Sequence, residues 1–213
     1  MSITAVYFDN ISYFRDKLPN HAISLLDEKV NNIKENFNTL VATNNSLAGN
    51  IAREYNFDKE TLSEIEHLVL PYAKLYYQKN PMLQVGHISE NEALSRLYLN
   101  NAWVNFQKKY EFNPSHTHTG VISFVIWLKV PYTIKQEMTN KSVAYSNSPV
   151  AGCFQFMYCD ALGNINGHTI SCEKETEGTI LIFPAKMQHC VYPFFTSDEY
   201  RISISGNFYI KDH

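Results

Sequence analysis

The sequence predicts an α+β fold, with helices first and then a sandwich or barrel of short β-strands. Three observations carry this. Up to about residue 80 the apolar residues recur at spacings of three and four, the period of an amphipathic helix. From about Asn100 the period changes to two. The strand-like runs that follow are short and separated by turn signals, as in a sandwich or barrel.

In the first part of the chain, Ile23, Leu26, Val30, Ile33, Phe37 and Leu40 form one stripe, which predicts a helix from about Asn20 to Leu40 with Lys29, Lys34 and Glu35 toward solvent. Pro19 suits its first turn, and the polar Thr43-Asn44-Asn45-Ser46 ends it. A second helix is predicted from the cap Asp58 to Asn80, where Asn80-Pro81 stops it. Its buried face is read as Leu62, Ile65, Leu68, Val69, Tyr72, Leu75 and Tyr76, with a kink expected at Pro71.

Further on, Ala102, Val104 and Phe106 alternate with Trp103, Asn105 and Gln107. Val121 to Val130 reads as a buried strand, as do Thr179 to Phe183 and Arg201 to Ile210; Phe154, Phe156 and Tyr158 mark another. Lys141 to Pro149 is polar and irregular, hence a loop. The expected organisation is a single compact domain in which residues 1–99 form a helical support packed on a β core of residues 100–213.

Composition narrows the class of function. A chain of 213 residues, 45% hydrophobic and 18% charged, is long enough to bury a core and is globular. A net charge of −3, with no Lys/Arg-rich run, provides no field for nucleic acid or an anionic membrane. The first residues lack a cationic start followed by an apolar run, and Val121 to Val130 is too short to span a bilayer. Cys153, Cys159, Cys172 and Cys190 show no C-x-x-C spacing and read as reduced thiols, which gives the expectation of a cytoplasmic protein. A homodimer is the base-rate expectation for its assembly.

The chemistry concentrates in a few residues. In extended backbone His116 and His118 point to one side, so both imidazoles can reach one metal ion. Asn113-Pro114 and Gly120 flank the pair as turn residues. A third histidine, His189, follows the apolar strand that ends at Pro184. Beyond it, Arg201, Ser203, Ser205 and Asn207 share one face of a strand, and Ile202 and Ile204 the other. A wholly polar strand face meets solvent or lines a polar cavity; the nearby histidines favour the cavity.

Two stretches, NAWVNFQKKYEFNPSHTHTGVISFVIWLKVP (residues 101–131) and GTILIFPAKMQHCVYPF with YRISISGN (residues 178–194 and 200–207), resemble the two halves of the 2-oxoglutarate- and Fe(II)-dependent oxygenases. The resemblance covers about Asn100 to Ile210 and is nearest to a His-x-His group found in phage and marine bacteria. It implies a double-stranded β-helix, or jelly-roll barrel, with an N-terminal helical layer. It implies that His116 and His189 are metal ligands, that Arg201 pairs with the distal carboxylate of 2-oxoglutarate, and that Ser203 assists with a hydroxyl. Asn105 and Gln107 share a strand face on which they can contact the keto acid or the substrate. No catalytic residue separate from the metal site is implied. The implied reaction uses O2 to hydroxylate a small-molecule or peptide substrate, with succinate and CO2 released.

One position departs from the superfamily. An acid usually stands two residues after the first histidine, and here that residue is His118. Three neutral imidazoles leave the metal's charge uncompensated and suit Zn(II) or Cu as well as Fe(II). His118 is taken as the third ligand, with Glu111 and Asp160 as acids that can complete the sphere. Two other readings stand beside the oxygenase: a cupin-like three-His dioxygenase with no keto acid, and a non-catalytic jelly-roll binding module stapled by its metal. Ser123 and Trp127 share a strand face near the expected site, with Trp127 read as core. His21, His67, His87, His168 and His213 have no partners at useful spacing.

Overall fold

The computed structural model describes residue 4 and residues 10–43, 47–83 and 88–212; Asn44 to Ser46 of the predicted helix stop, His87 and His213 lie outside them. Pro19 caps α1 (Asn20–Glu35) with extended backbone, and the helix buries Ala22, Leu26 and Val30. It ends before the last residues of the predicted stripe. The Asn36 side-chain amide donates to the Asn32 carbonyl at 2.8 Å, and the chain leaves helical geometry there. Phe37 still packs on the core, whereas Leu40 is 43% exposed.

Helix α2 (Lys59–Lys79) starts where Asp58 accepts the Thr61 backbone N–H at 2.8 Å, and it runs on through Pro71. Its buried face is Thr61, Ile65, Val69, Ala73, Tyr76 and Tyr77. Of the predicted face, Ile65, Val69 and Tyr76 are buried and Leu62, Leu68 and Tyr72 pack partly buried on the core; the stripe also advances in fours through Ala73 and Tyr77, which leaves Leu75 on the outer side, 47% exposed. A short helix outside the predicted ones, α3 (Glu90–Arg96), is capped by Ser89, whose hydroxyl accepts the Glu92 N–H at 3.3 Å, and it leads into the strands.

In chain order the strands are β1 (Phe14–Lys17), β2 (Glu54–Asn56), β3 (Leu97–Gln107), β4 (Asn113–His116), β5 (Ile122–Lys129), β6 (Phe154–Cys159), β7 (Ile165–Ile170), β8 (Thr179–Pro184), β9 (Gln188–Val191) and β10 (Arg201–Ile210). A six-stranded sheet has the order β1-β8-β5-β10-β3-β2, and a four-stranded sheet the order β4-β9-β6-β7. The pairings are antiparallel. The result is a mixed helix and antiparallel-sheet architecture.

The pleat assigns each strand's two sets of side chains to two cores. Val104, Phe106, Ile126, Ile202 and Ile204 face the helices and pack with Leu26, Ile65, Val69 and Tyr76. Val125, Trp127, Leu181 and Phe183 face the other way and pack with Phe154 and Phe156 of the four-stranded sheet. The six-stranded sheet thus lies between helices and the second sheet. On β10 the isoleucines serve the first core, which turns Arg201, Ser203 and Ser205 toward the second sheet.

Between β5 and β6 in the chain, α4 (Ile134–Thr139) places Glu137, which is fully buried. Its carboxylate accepts the Phe195 N–H at 2.8 Å, the Thr196 N–H at 2.9 Å and the Thr196 hydroxyl. These bonds hold the loop that leads into Arg201. Glu137→Ala leaves these part-buried donors without their acceptor and a void where the buried carboxylate stood, so unfolding in urea is expected at about 1–3 kcal/mol lower stability. A loss below about 0.5 kcal/mol would mean the loop is held otherwise.

The four cysteines are free thiols, three buried and Cys159 exposed. Among the described residues no helix is long and apolar enough to cross a membrane.

Candidate active site

Strand pairing brings the three histidines together. His116 on β4 lies directly opposite His189 on β9, and opposed residues of an antiparallel pair project to one side. His118 is held just past the end of β4, its backbone N–H donating to the Ala185 carbonyl at 2.8 Å. Gly120 then turns the chain into β5 with φ +94°, and a Cβ there would come within 2.7 Å of the Phe208 carbonyl oxygen, so glycine is required.

The rings form a tight triangle. Centroids are 4.9 Å apart for His116–His118, 4.3 Å for His116–His189 and 5.0 Å for His118–His189. One ligand atom from each lies within 4.8 Å of the others. His116 Nδ1 sits 2.7 Å from the Pro114 carbonyl oxygen, and His189 Nδ1 2.9 Å from that of Met187. A carbonyl only accepts, so in both rings Nδ1 carries the proton and Nε2 keeps its lone pair for a metal.

The surroundings keep the rings neutral. Phe154 stacks on His189 at 5.4 Å, Phe183 meets it edge-on at 5.0 Å, and Trp103 lies 5.6 Å from His118. Burial is the main cause that lowers His189 to about 3 and His118 to about 4, and it lowers His116 as well; the neighbouring rings add to it for His118 and His189. Neutral imidazole is the ligating form. The donor set therefore fits a divalent metal with imidazole affinity, and Fe(II) is one such ion.

The acids considered as further ligands are placed elsewhere. Glu111 accepts the Ala52 and Lys108 backbone N–H groups at 3.0 and 2.7 Å. Asp160 holds the β6–β7 turn through Leu162 and Asn164 N–H, both at 2.9 Å. Among the described residues, the metal-type cluster consists of the three histidines.

The same cavity is lined by Trp103, Asn105, Gln107, Trp127, Arg201 and Ser203. Arg201 is 2% exposed. Its Nε and Nη2 donate to Gln107 Oε1 at 3.1 and 2.6 Å, and Nη2 also reaches the Tyr192 carbonyl at 3.1 Å. Nη1 donates to the Tyr132 hydroxyl at 2.5 Å and the Gly152 carbonyl at 2.9 Å. Every one of these partners is neutral, and among the described residues Arg201 has no ion pair. Above it, Trp103 Nε1 donates to Asn105 Oδ1 at 3.1 Å and Asn105 Nδ2 donates to Ser203 Oγ at 3.3 Å. Ser203 Oγ therefore serves as acceptor and keeps its own proton to offer.

Ser123 does not line the cavity; it donates to Asn207 Oδ1, directly opposite on β10, at 2.6 Å. Trp127 is buried and also lines the cavity. Sequence reasoning missed Tyr132 and the carbonyls of Gly152 and Tyr192. No local signal marks them, because carbonyl groups carry no residue identity and Tyr132 lies in a strand-to-helix connection.

A family model described as "Putative 2OG-Fe(II) oxygenase" matches residues 101–207, half of the chain. A search of curated proteins finds no match. Among solved structures, a Pseudomonas putida prolyl-4-hydroxylase aligns over 95% of this chain and 94% of its own, at 13% identity and TM-score 0.56. EvdMO1 aligns over 95% of this chain and 48% of its own, at 12% identity and TM-score 0.56. At such identities these structures speak to fold alone. The family match rests on the segment that carries the histidines' first pair, the third histidine and Arg201: the chain belongs to the 2OG-Fe(II) oxygenases, oxidoreductases whose cofactors are Fe(II) and 2-oxoglutarate.

Proposed function

We propose that this chain hydroxylates a small-molecule or peptide substrate with O2 and 2-oxoglutarate, releasing succinate and CO2, with His116, His118 and His189 holding the Fe(II) and Arg201, Ser203 and Asn105 holding the keto acid. The observation that carries this is Arg201: a buried guanidinium with only neutral partners, lining the same cavity as the three histidines. Burying a charge without a counter-charge costs several kcal/mol (roughly), a cost an incoming dianion offsets.

Each residue has a stated task. Gln107 presents one oxygen to Nε and Nη2 of Arg201, the edge that a carboxylate takes bidentately. The acid takes that edge from Gln107. Tyr132 and the two carbonyls keep the guanidinium plane in place while this happens. Ser203, accepting from Asn105, turns its free proton to the same carboxylate. The aromatic wall of Phe154, Phe183 and Trp103 keeps water from the histidines. Bound Fe(II) supplies the redox chemistry with O2. The two sheets are read as the faces of a double-stranded β-helix, with residues 1–99 as its support and residues 100–213 as its core in one compact domain; the full-length likeness to the prolyl-4-hydroxylase fold supports this.

The test is anaerobic addition of 2-oxoglutarate to the Fe(II)-loaded protein. A weak visible charge-transfer band is expected, since the keto acid chelates the metal. Fe(II) retained without the band would favour the cupin-like dioxygenase. Fe(II) not retained at all would end the three-histidine proposal.

A further inference from the structure

At one corner, beside the cavity, lie two buried side-chain oxygens, on Glu54 and Asn113, that have no role in the site described above. Glu54 on β2 lies directly opposite Asn105 on β3, so its side chain is on the same sheet face as the cavity-lining Asn105. It is 1% exposed. Asn113, three residues before His116, lines the cavity together with Ile51. Glu54 Oε2 and Asn113 Oδ1 are both buried and receive no hydrogen bond among the described residues. Gly49 adjoins both side chains: a Cβ there would stand 2.2 Å from Asn113 Oδ1 and 3.0 Å from Glu54 Oε1, so glycine lets the Asn113 amide and the Glu54 carboxyl come close to each other.

The charge around this corner has one sign. Glu111 is near enough to raise Glu54 further, and its own oxygens are committed to backbone amides. The neighbouring cations are turned away. Arg53 lies over Phe37 and donates to the Tyr200 hydroxyl at 2.8 Å. Lys108 donates to the Asp198 carbonyl and lies over Tyr200. Burial, with Glu111 adding to it, raises the Glu54 carboxyl to about 7. Unsatisfied buried acceptors of this kind are uncommon and costly.

We propose that this corner is a substrate subsite and that it takes a primary ammonium group, held by Glu54 and Asn113. A neutral hydroxyl can satisfy one acceptor but leaves the two carboxyl groups uncompensated. An ammonium offers three donors and no acceptor, which matches two buried oxygens that both lack a donor. The assignment rests on the oxygenase reading for the use made of the anchored substrate; the binding itself is tested without turnover.

The experiment is calorimetric titration of the full chain, loaded with Zn(II) in place of Fe(II), with n-pentylamine and with 1-pentanol. It is run at about pH 8, where the amine and Glu54 are both charged. The amine is expected to bind at least about tenfold tighter than the alcohol, the size of one charge-assisted contact. Glu54→Gln should abolish that preference and leave 2-oxoglutarate affinity unchanged. Should Glu54→Gln fail to fold, Asn113→Leu decides, with an expected several-fold loss for the amine alone. Equal binding of amine and alcohol by the unaltered protein, or a preference retained by the deciding variant, would overturn the proposal. Amine titrations are run with and without 2-oxoglutarate, so failure of the keto acid to bind, which sinks the oxygenase site, is read separately from failure of the amine.

Discussion

His189→Ala is expected to lose bound Fe(II) and all 2-oxoglutarate-dependent oxygen consumption. His189 is the most buried of the three histidines at 4% exposure, and β9 holds it directly across from His116. Its Nδ1–H is committed to the Met187 carbonyl, so the ring cannot turn and its Nε2 has one direction to face. Loss of a residue that merely orients a ligand costs about 10–100-fold in metal affinity, and loss of the ligand itself exceeds that. The check is metal content after desalting, with melting measured in chelator to separate folding from ligation. Retention of stoichiometric iron by a folded His189→Ala protein would move the metal elsewhere. His118→Asp makes a sharper companion. It places an acid where the superfamily carries one, and it should keep iron while His118→Ala loses affinity. Equal retention by both would reduce the site to two histidines.

Removal of the Arg201 guanidinium is expected to produce the second large effect. Arg201→Lys keeps the charge but not the planar fork, and should weaken 2-oxoglutarate by roughly 10–100-fold, the worth of a charge-assisted bidentate contact. Iron binding should stay intact, because the histidines come from other strands. Arg201→Ala carries an added cost. Gln107, Tyr132 and the carbonyls of Gly152 and Tyr192 lose their donor in a buried place, so this variant should also be less stable by about 2–5 kcal/mol. The pair is read by titrating the visible band with 2-oxoglutarate and by urea unfolding. Unchanged keto-acid affinity in Arg201→Lys would take Arg201 out of the co-substrate site.

Much of the pattern was legible because it is local. Alternation marks β3, β6 and β10, unbroken apolar runs mark β5 and β8, and the polar–apolar alternation from Arg201 to Asn207 separates the two faces of β10. The His-x-His pair, the distant His189 and Arg201 were visible as residue types in order along the chain. Helix existence and most of the buried face of α2 were also legible, but the end of α1 and the outward turn of Leu75 were not. A stripe of apolar residues does not say where an asparagine will take over the helix's hydrogen bonds, and it does not say which of two neighbouring stripes the sheet will cover.

What only the tertiary structure decided is which groups meet across strands. The sequence by itself determined which groups are available, three imidazoles that can share a metal and an arginine on a polar strand face, to which the proposed reading gives an acid. It did not contain the register that sets His116 against His189, or the ring of Gln107, Tyr132, Gly152 and Tyr192 around Arg201. Strand β2 spans only Glu54–Asn56, too short for any periodicity, yet its pairing puts Glu54 beside the cavity. Periodicity reports a residue's neighbours a few positions away, whereas register and carbonyl geometry join positions far apart in the chain. Those are fixed only when the sheets close on their shared core.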